Sequence, residues 1–239
     1  MNGKNSKAIL AFPGIGNVAT ITASYILRKT KHSTINVLRS NHMPAILIND
    51  DSNDFVLPSV KIEKTVNKDS NTTLYIGDSQ PATDQGVYEL SKTIVDLCKQ
   101  NHIKQLLILG GIGLEVEPEK PDVYQIANNP NMAKELARCG AKDGASKRVN
   151  VVLGLSGVVY GVANQEGINA SLLLAETSGM PGYLGLRAAY KLTNIVSKYT
   201  GLKIDTRELR EEIEHPDAKT SDGELSYDKD EIERIHYIG

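Results

Sequence analysis

Short, mostly apolar runs recur along this chain at residues 8–12, 105–109, 149–153 and 170–175. Runs of that length without polar alternation predict strands buried on both faces of a parallel sheet. Between them the pattern changes to a 3.6-residue period. Residues 17–29 place Val18, Ile21, Tyr25 and Ile26 near one helical face, and 83–100 do the same with Val87, Leu90, Ile94, Leu97 and Cys98. Residues 130–139, 158–165 and 185–199 predict further helices, with Gly140 and Gly201 placed to end two of them. Asp205 can cap a last short helix at 206–214. Residues 34–38, 45–48, 72–76 and 123–127 are shorter β-rich runs. Residues 55–66 partly alternate, as a half-solvated antiparallel strand does. The segment 115–121 holds two prolines among charged residues and is expected to be an exposed irregular loop.

Strands alternating with helices predict an α/β fold: a three-layer sandwich around a mixed, largely parallel sheet. Residues 1–215 read as a single α/β domain, and 216–239 as a charged C-terminal tail or docking arm.

The chain has 239 residues, 40% hydrophobic and 23% charged, ordinary proportions for a globular domain. Its 27 basic and 29 acidic side chains give a formal net charge of -2. That balance lacks the basic field that would hold a phosphate backbone, so nucleic acid is not an expected partner. With ten Tyr, two Phe and no Trp, the core must rest on aliphatic residues, and base-stacking platforms are not expected. Cys98 and Cys139 are far apart and form no C-x-x-C pair, which fits a reducing compartment better than a zinc or redox site. No apolar run reaches the ~18 residues of a membrane span. The first residues are polar, and a cytoplasmic protein without a membrane partner is expected.

Three glycine-rich segments, at 13–16, 110–113 and 154–157, each follow an apolar run. They are expected to be turns at one end of the sheet, where open α/β sheets usually bind ligands. Gly14, Gly16, Asn17, Gly111, Gly113, Ser156 and Glu176 form the candidate ligand rim. The first segment fits G-x-G-x-x-A, but the place of the ribose-binding acid holds Arg39 and Ser40. A tight strand-to-helix turn is the simpler reading. No Gly-Lys-Ser or Gly-Lys-Thr occurs, so P-loop hydrolysis is not expected. The third segment resembles a nucleophile elbow with Val158 in place of its second glycine, and Ser156 is read instead as a helix N-cap. Glu176, at the end of an apolar run, is either a general base or ligand anchor, or a structural acceptor for N–H groups of the glycine turns; the second reading is preferred. Asp50, Ser52 and Asp54 begin like a calcium loop, but Phe55 and Lys61 stand where glycine and glutamate are required. No metal, cofactor or catalytic residue set is assigned.

Read in order, Pro-Gly-Ile-Gly-Asn-Val at 13–18, Gly-Gly-Ile-Gly-Leu at 110–114, Val-Tyr-x-x-Ala-Asn at 123–128, Gly-Leu-Ser-Gly-Val at 154–158 and Leu-Leu-Ala-Glu-Thr at 173–177 form a series. Ala188-Ala189 and Gly-Leu-Lys-Ile-Asp at 201–205 complete it. The series resembles the proteasome assembly chaperone family, in particular archaeal proteins similar to the second eukaryotic chaperone subunit. The resemblance implies a fold related to purine nucleoside phosphorylases and a homo-oligomer, trimeric or larger. It also implies a non-enzymatic proteasome assembly chaperone or proteasome-binding adaptor that contacts proteasome α-subunits. The family is also described as ATP-grasp-like, but no lysine-bearing phosphate loop or acidic metal cluster is present here. The alternative is a ligase-like or phosphorylase-like enzyme binding a nucleotide or small molecule at the glycine-rich strand ends. Some relatives dock through a C-terminal hydrophobic–Tyr–any-residue tail. Here Ile235, Tyr237 and Ile238 are the candidates, with Tyr237 third from the end.

Overall fold

The first apolar run becomes β1 (Lys7–Ala11), buried from Ala8 onward, and the amphipathic stretch after it becomes α1 (Val18–Arg28). These and all later elements belong to a computed structural model that describes residues 6–49, 54–66 and 71–215. β2 (His32–Leu38) follows, then a small separate hairpin of β3 (Ile48–Asn49) and β4 (Phe55–Val56). β5 (Val60–Thr65) and β6 (Thr72–Gly77) return the chain to the main sheet. The alternating stretch 55–66 is therefore two strands, separated by Leu57-Pro58-Ser59, where the proline cannot donate to a ladder. Of the run 45–48, only Ile48 enters a strand.

α2 (Asp84–Gln100) starts at Thr83, whose side chain accepts from Gly86 N at 3.1 Å. β7 (Gln105–Leu114) and β8 (Val123–Ala127) precede α3 (Pro130–Cys139). α3 ends at Gly140 as its sequence predicts, with a left-handed φ of 111°, and at its start Asn129, not named from sequence, accepts from two N–H groups. α4 (Leu155–Gln165), β9 (Asn169–Ser178), α5 (Leu186–Thr200) and α6 (Arg207–Glu214) complete the described chain. Asp205 accepts from Arg207 N at 3.1 Å at the head of α6.

Seven strands form one sheet in the order β2-β5-β6-β1-β7-β9-β8. The central four run parallel; β5 on one side and β8 on the other run opposite to them, and β2, antiparallel to β5, runs in their direction again. Adjacent residues point to opposite faces. Ile9, Leu107 and Leu173 meet Ile21, Leu136 and Leu192 from α1, α3 and α5. Leu10, Leu106 and Leu172 meet Ile94 and Val159 from α2 and α4 on the other face. The result is the mixed, largely parallel α/β sandwich expected from the alternation of apolar runs.

Both margins of the sheet are irregular. β2 is exposed from His32 to Val37, and its ladder with β5 shifts register between Thr34 and Asn36. The outer edge of β8 is covered in part by Lys142, which donates to Val123 O at 2.7 Å and accepts from Gln125 N at 2.9 Å.

Two apolar or glycine-rich segments depart from expectation. The run 149–153 is not a strand. Both neighbouring positions of β9 are already taken by β7 and β8, so it cannot pair beside that strand. It is an extended loop with Val151 68% and Leu153 83% exposed. Gly110 to Gly113 are not a turn but part of β7, paired in register with Leu174 to Thr177 of β9.

Candidate functional site

At the carboxyl ends of β1, β7 and β9 the glycine segments are pressed against one another. The turn after β1 is one tight helical turn in which Gly16 has φ 61° and Asn17 φ 48°, with Asn17 N donating to Gly14 O at 2.9 Å. A Cβ on Gly16 would lie 2.7 Å from the Thr177 methyl. A Cβ on Gly111 would lie 2.5 Å from the Ile15 carbonyl oxygen. These glycines permit close approach of one backbone to another. The space that a phosphate would need beside Gly16 holds the Thr177 side chain.

Glu117 completes this part of the rim, although it lies in the loop expected to be exposed. Its side chain is 2% exposed. Thr177 Oγ1 donates to it at 3.1 Å, the Tyr183 hydroxyl at 3.0 Å and Ala188 N at 3.3 Å, while Arg187 stands 3.7 Å away. One carboxylate from the β7–β8 loop thus ties β9 to the first turn of α5, where the helix N–H groups favour an anion. Burial, with the Glu117 charge and hydrogen bond, pushes the Tyr183 phenol up, so it stays protonated and donates.

Glu176 is on the other face of the sheet. It is buried, but its partner is not a glycine turn: Asp122 N donates to it at 3.1 Å, and Arg148 approaches to 3.9 Å. This corrects the preferred sequence reading in its partner while keeping the role of structural acceptor. The first glycine turn lies across the sheet from Glu176, because neighbouring residues of β9 alternate in direction, and at the third the Leu155 N–H goes to Gln80 instead.

Ser156 lies within the first turn of α4, and the N-cap is Gly154, with φ 75°. Ser156 is therefore not the cap. The N–H of Leu155 is satisfied instead by Gln80 Oε1 at 3.0 Å, while Gln80 Nε2 donates to Pro13 O at 2.7 Å. Gln80 occupies the gap between the first and third glycine segments.

The rim residues named from sequence thus fall into two groups. Gly14, Gly16, Asn17, Gly111 and Gly113 gather on the α1–α5 side, whereas Ser156 and Glu176 lie on the α2–α4 side. Gln80, Glu117 and Thr177, which fill the spaces between the segments, were not singled out from sequence. Only Thr177 had a signal, as the last residue of the Leu-Leu-Ala-Glu-Thr segment. Above them, Ile15, Val116 and Met180 are 48%, 76% and 65% exposed. The rim thus exposes three large apolar side chains next to the charged Glu115 and Arg187. Among the described residues, no three His, Cys, Asp or Glu side chains are grouped to hold a metal ion, and no helix is long and apolar enough to cross a membrane. Ile235, Tyr237, Ile238 and the calcium-like positions Asp50 and Ser52 lie outside the described residues.

A sequence model of the PAC2 family matches residues 8–221. No curated protein matches the chain. Among solved structures, PbaB of Pyrococcus furiosus, an archaeal proteasome activator, is 20% identical with a TM-score of 0.79, covering 89% of this chain and 90% of that one. PbaA of the same organism, an archaeal homologue of proteasome-assembly chaperone, is 23% identical with a TM-score of 0.75, covering 89% and 84%. A proteasome-assembly chaperone homologue from Mycobacterium tuberculosis is 15% identical with a TM-score of 0.71, covering 92% and 98%. At these identities the likeness is one of fold.

Proposed function

This chain belongs to the PAC2 family, and from that membership we propose that it is a non-enzymatic proteasome assembly chaperone or proteasome-binding adaptor. It acts in the cytoplasm as a homo-oligomer and contacts proteasome α-subunits. The shared fold with PbaB and PbaA supports the reading.

The observation that carries it is the state of the strand ends. An enzyme of this architecture keeps a crevice open there. Here Thr177, Glu117 and Gln80 stand in the spaces between the glycine segments and are hydrogen-bonded to their surroundings. Ile15, Val116 and Met180 are the large apolar side chains that face outward there, beside the exposed charges of Glu115 and Arg187. An exposed apolar group at a place with its polar groups already paired suits a protein surface better than an anionic ligand.

The test is capture of purified α-subunits from the same organism by the immobilised full chain. Capture is expected, and Val116→Asp combined with Met180→Asp should weaken it at least tenfold. In parallel, a thermal-shift panel of nucleotides, nucleosides and phosphate should be flat. A ligand at 100 times its Kd would add roughly 2.7 kcal/mol of stability. Such a shift, with no α-subunit capture, would overturn the proposal in favour of a small-molecule enzyme.

A further inference from the structure

α4 is an unusual surface helix. Leu155, Val159 and Ala163 bury one line of it against the sheet; on the opposite side Gly157 is covered by the Val152 backbone, whose carbonyl oxygen a Cβ there would meet at 2.4 Å, and Gly161 lies one turn further on. No atom lies within 4 Å of the place a Gly161 Cβ would occupy. Across this face runs an open trough of about 480 Å³, with Tyr88, Ile126, Val158, Val162 and Leu172 among its walls and Val152 at its edge. The residue after Val152 is Leu153, 83% exposed, and Val151 before it is 68% exposed. From Val149 to Gln165 there is no charged side chain. Elsewhere the exposed helix faces carry ion pairs, such as Lys92–Asp96 on α2 and Arg210–Glu214 on α6.

We propose that two copies of this chain pair across the trough about a two-fold axis. Leu153 enters the partner's trough, and the two α4 helices cross near Gly161. This deepens, and rests on, the homo-oligomer part of the function proposed above.

Three features favour a second copy over another partner. First, the face is chemically self-compatible. A two-fold axis brings a surface against itself, so any charge near the axis meets its own copy, and the segment from Val149 to Gln165 has none. Interfaces between identical subunits are apolar and depleted of charge at their centres. Second, the face is self-complementary in shape: a projecting leucine and an apolar trough lie side by side. An isologous contact uses each twice and closes, leaving no free end. Third, Gly161 removes the side chain that would otherwise hold the two helix backbones apart, as ridge-into-groove packing at 8–10 Å requires. Tyr88, at 62% exposure, adds an amphipathic side chain at the margin.

The test uses the full chain in size-exclusion chromatography with light scattering at micromolar concentration. The wild type should be oligomeric. Leu153→Glu and Gly161→Trp should each weaken association at least tenfold while far-UV circular dichroism stays unchanged. Gly161→Cys should form a disulfide-linked dimer under mild oxidation, whereas Lys191→Cys, exposed on α5 on the opposite face, should not. The cysteine arm decides the matter if either bulky variant fails to fold. A monomeric wild type would overturn both this interface and the homo-oligomer reading. An oligomeric wild type that forms no cross-link through Gly161→Cys would overturn the interface alone.

Discussion

Glu117 accepts three hydrogen bonds from groups that have few alternatives: two hydroxyls and a helix N–H, all drawn to one buried carboxylate. Glu117→Ala should therefore cost more than an ordinary surface change. Leaving buried donors unpaired costs about 1–3 kcal/mol, and more when the lost partner is charged. Chemical denaturation should show a loss of roughly 3 kcal/mol, and Thr177→Val a smaller one. A loss below half a kcal/mol for Glu117→Ala would mean that water replaces the carboxylate. This residue was hidden in the sequence because prolines and charges on either side of it, Glu115, Pro118, Glu119 and Lys120, give the loop an exposed look. One buried acid in a polar loop leaves no periodicity to read. Glu176 was legible because it ends an apolar run, but its partner was not, since a hydrogen bond to Asp122 N depends on how β8 is brought alongside β9.

At the scale of elements, the legible features were those set by local chemistry. Gly140 and Gly201 were read as helix ends and both take left-handed φ there, while the caps Thr83 and Asn129 have the residue types that local chemistry favours. Asn129 accepts from Asn131 N at 2.9 Å and Met132 N at 3.0 Å. Asn129→Ala should lower stability by about 1 kcal/mol, within the 0.5–2 kcal/mol span of such caps. Denaturant titration checks this, and Asn129→Ser should recover most of the loss. The misread elements were those set by long-range competition. Residues 149–153 have the composition of a buried strand, yet a strand needs a neighbour, and β7 and β8 occupy both sides of β9. Gly110 to Gly113 have the composition of a turn, yet they extend β7 because the turn at Ile15 needs a surface without side chains to rest on.

For the molecule as a whole, the order of strands decides which surfaces remain for partners. Apolar side chains are exposed at the strand-end rim, on the loop before α4 and on the β2–β4 region, where Ile35, Leu47, Phe55 and Leu57 are 48%, 61%, 69% and 62% exposed. What these surfaces can do is limited by the margins of the sheet. A regular exposed edge offers a row of N–H and C=O groups to any other strand, and such growth has no end. The register shift at Ile35 breaks that row on β2, and Lys142 covers part of it on β8. Deleting Ile35 would remove the extra residue and restore a continuous ladder. The expected outcome is scattering that rises with protein concentration and time, while the wild type stays at constant mass. The kink in β2 then acts as a limit on stoichiometry: a chain that carries this much apolar surface can still count its partners, because they must be joined side chain to side chain and not strand to strand.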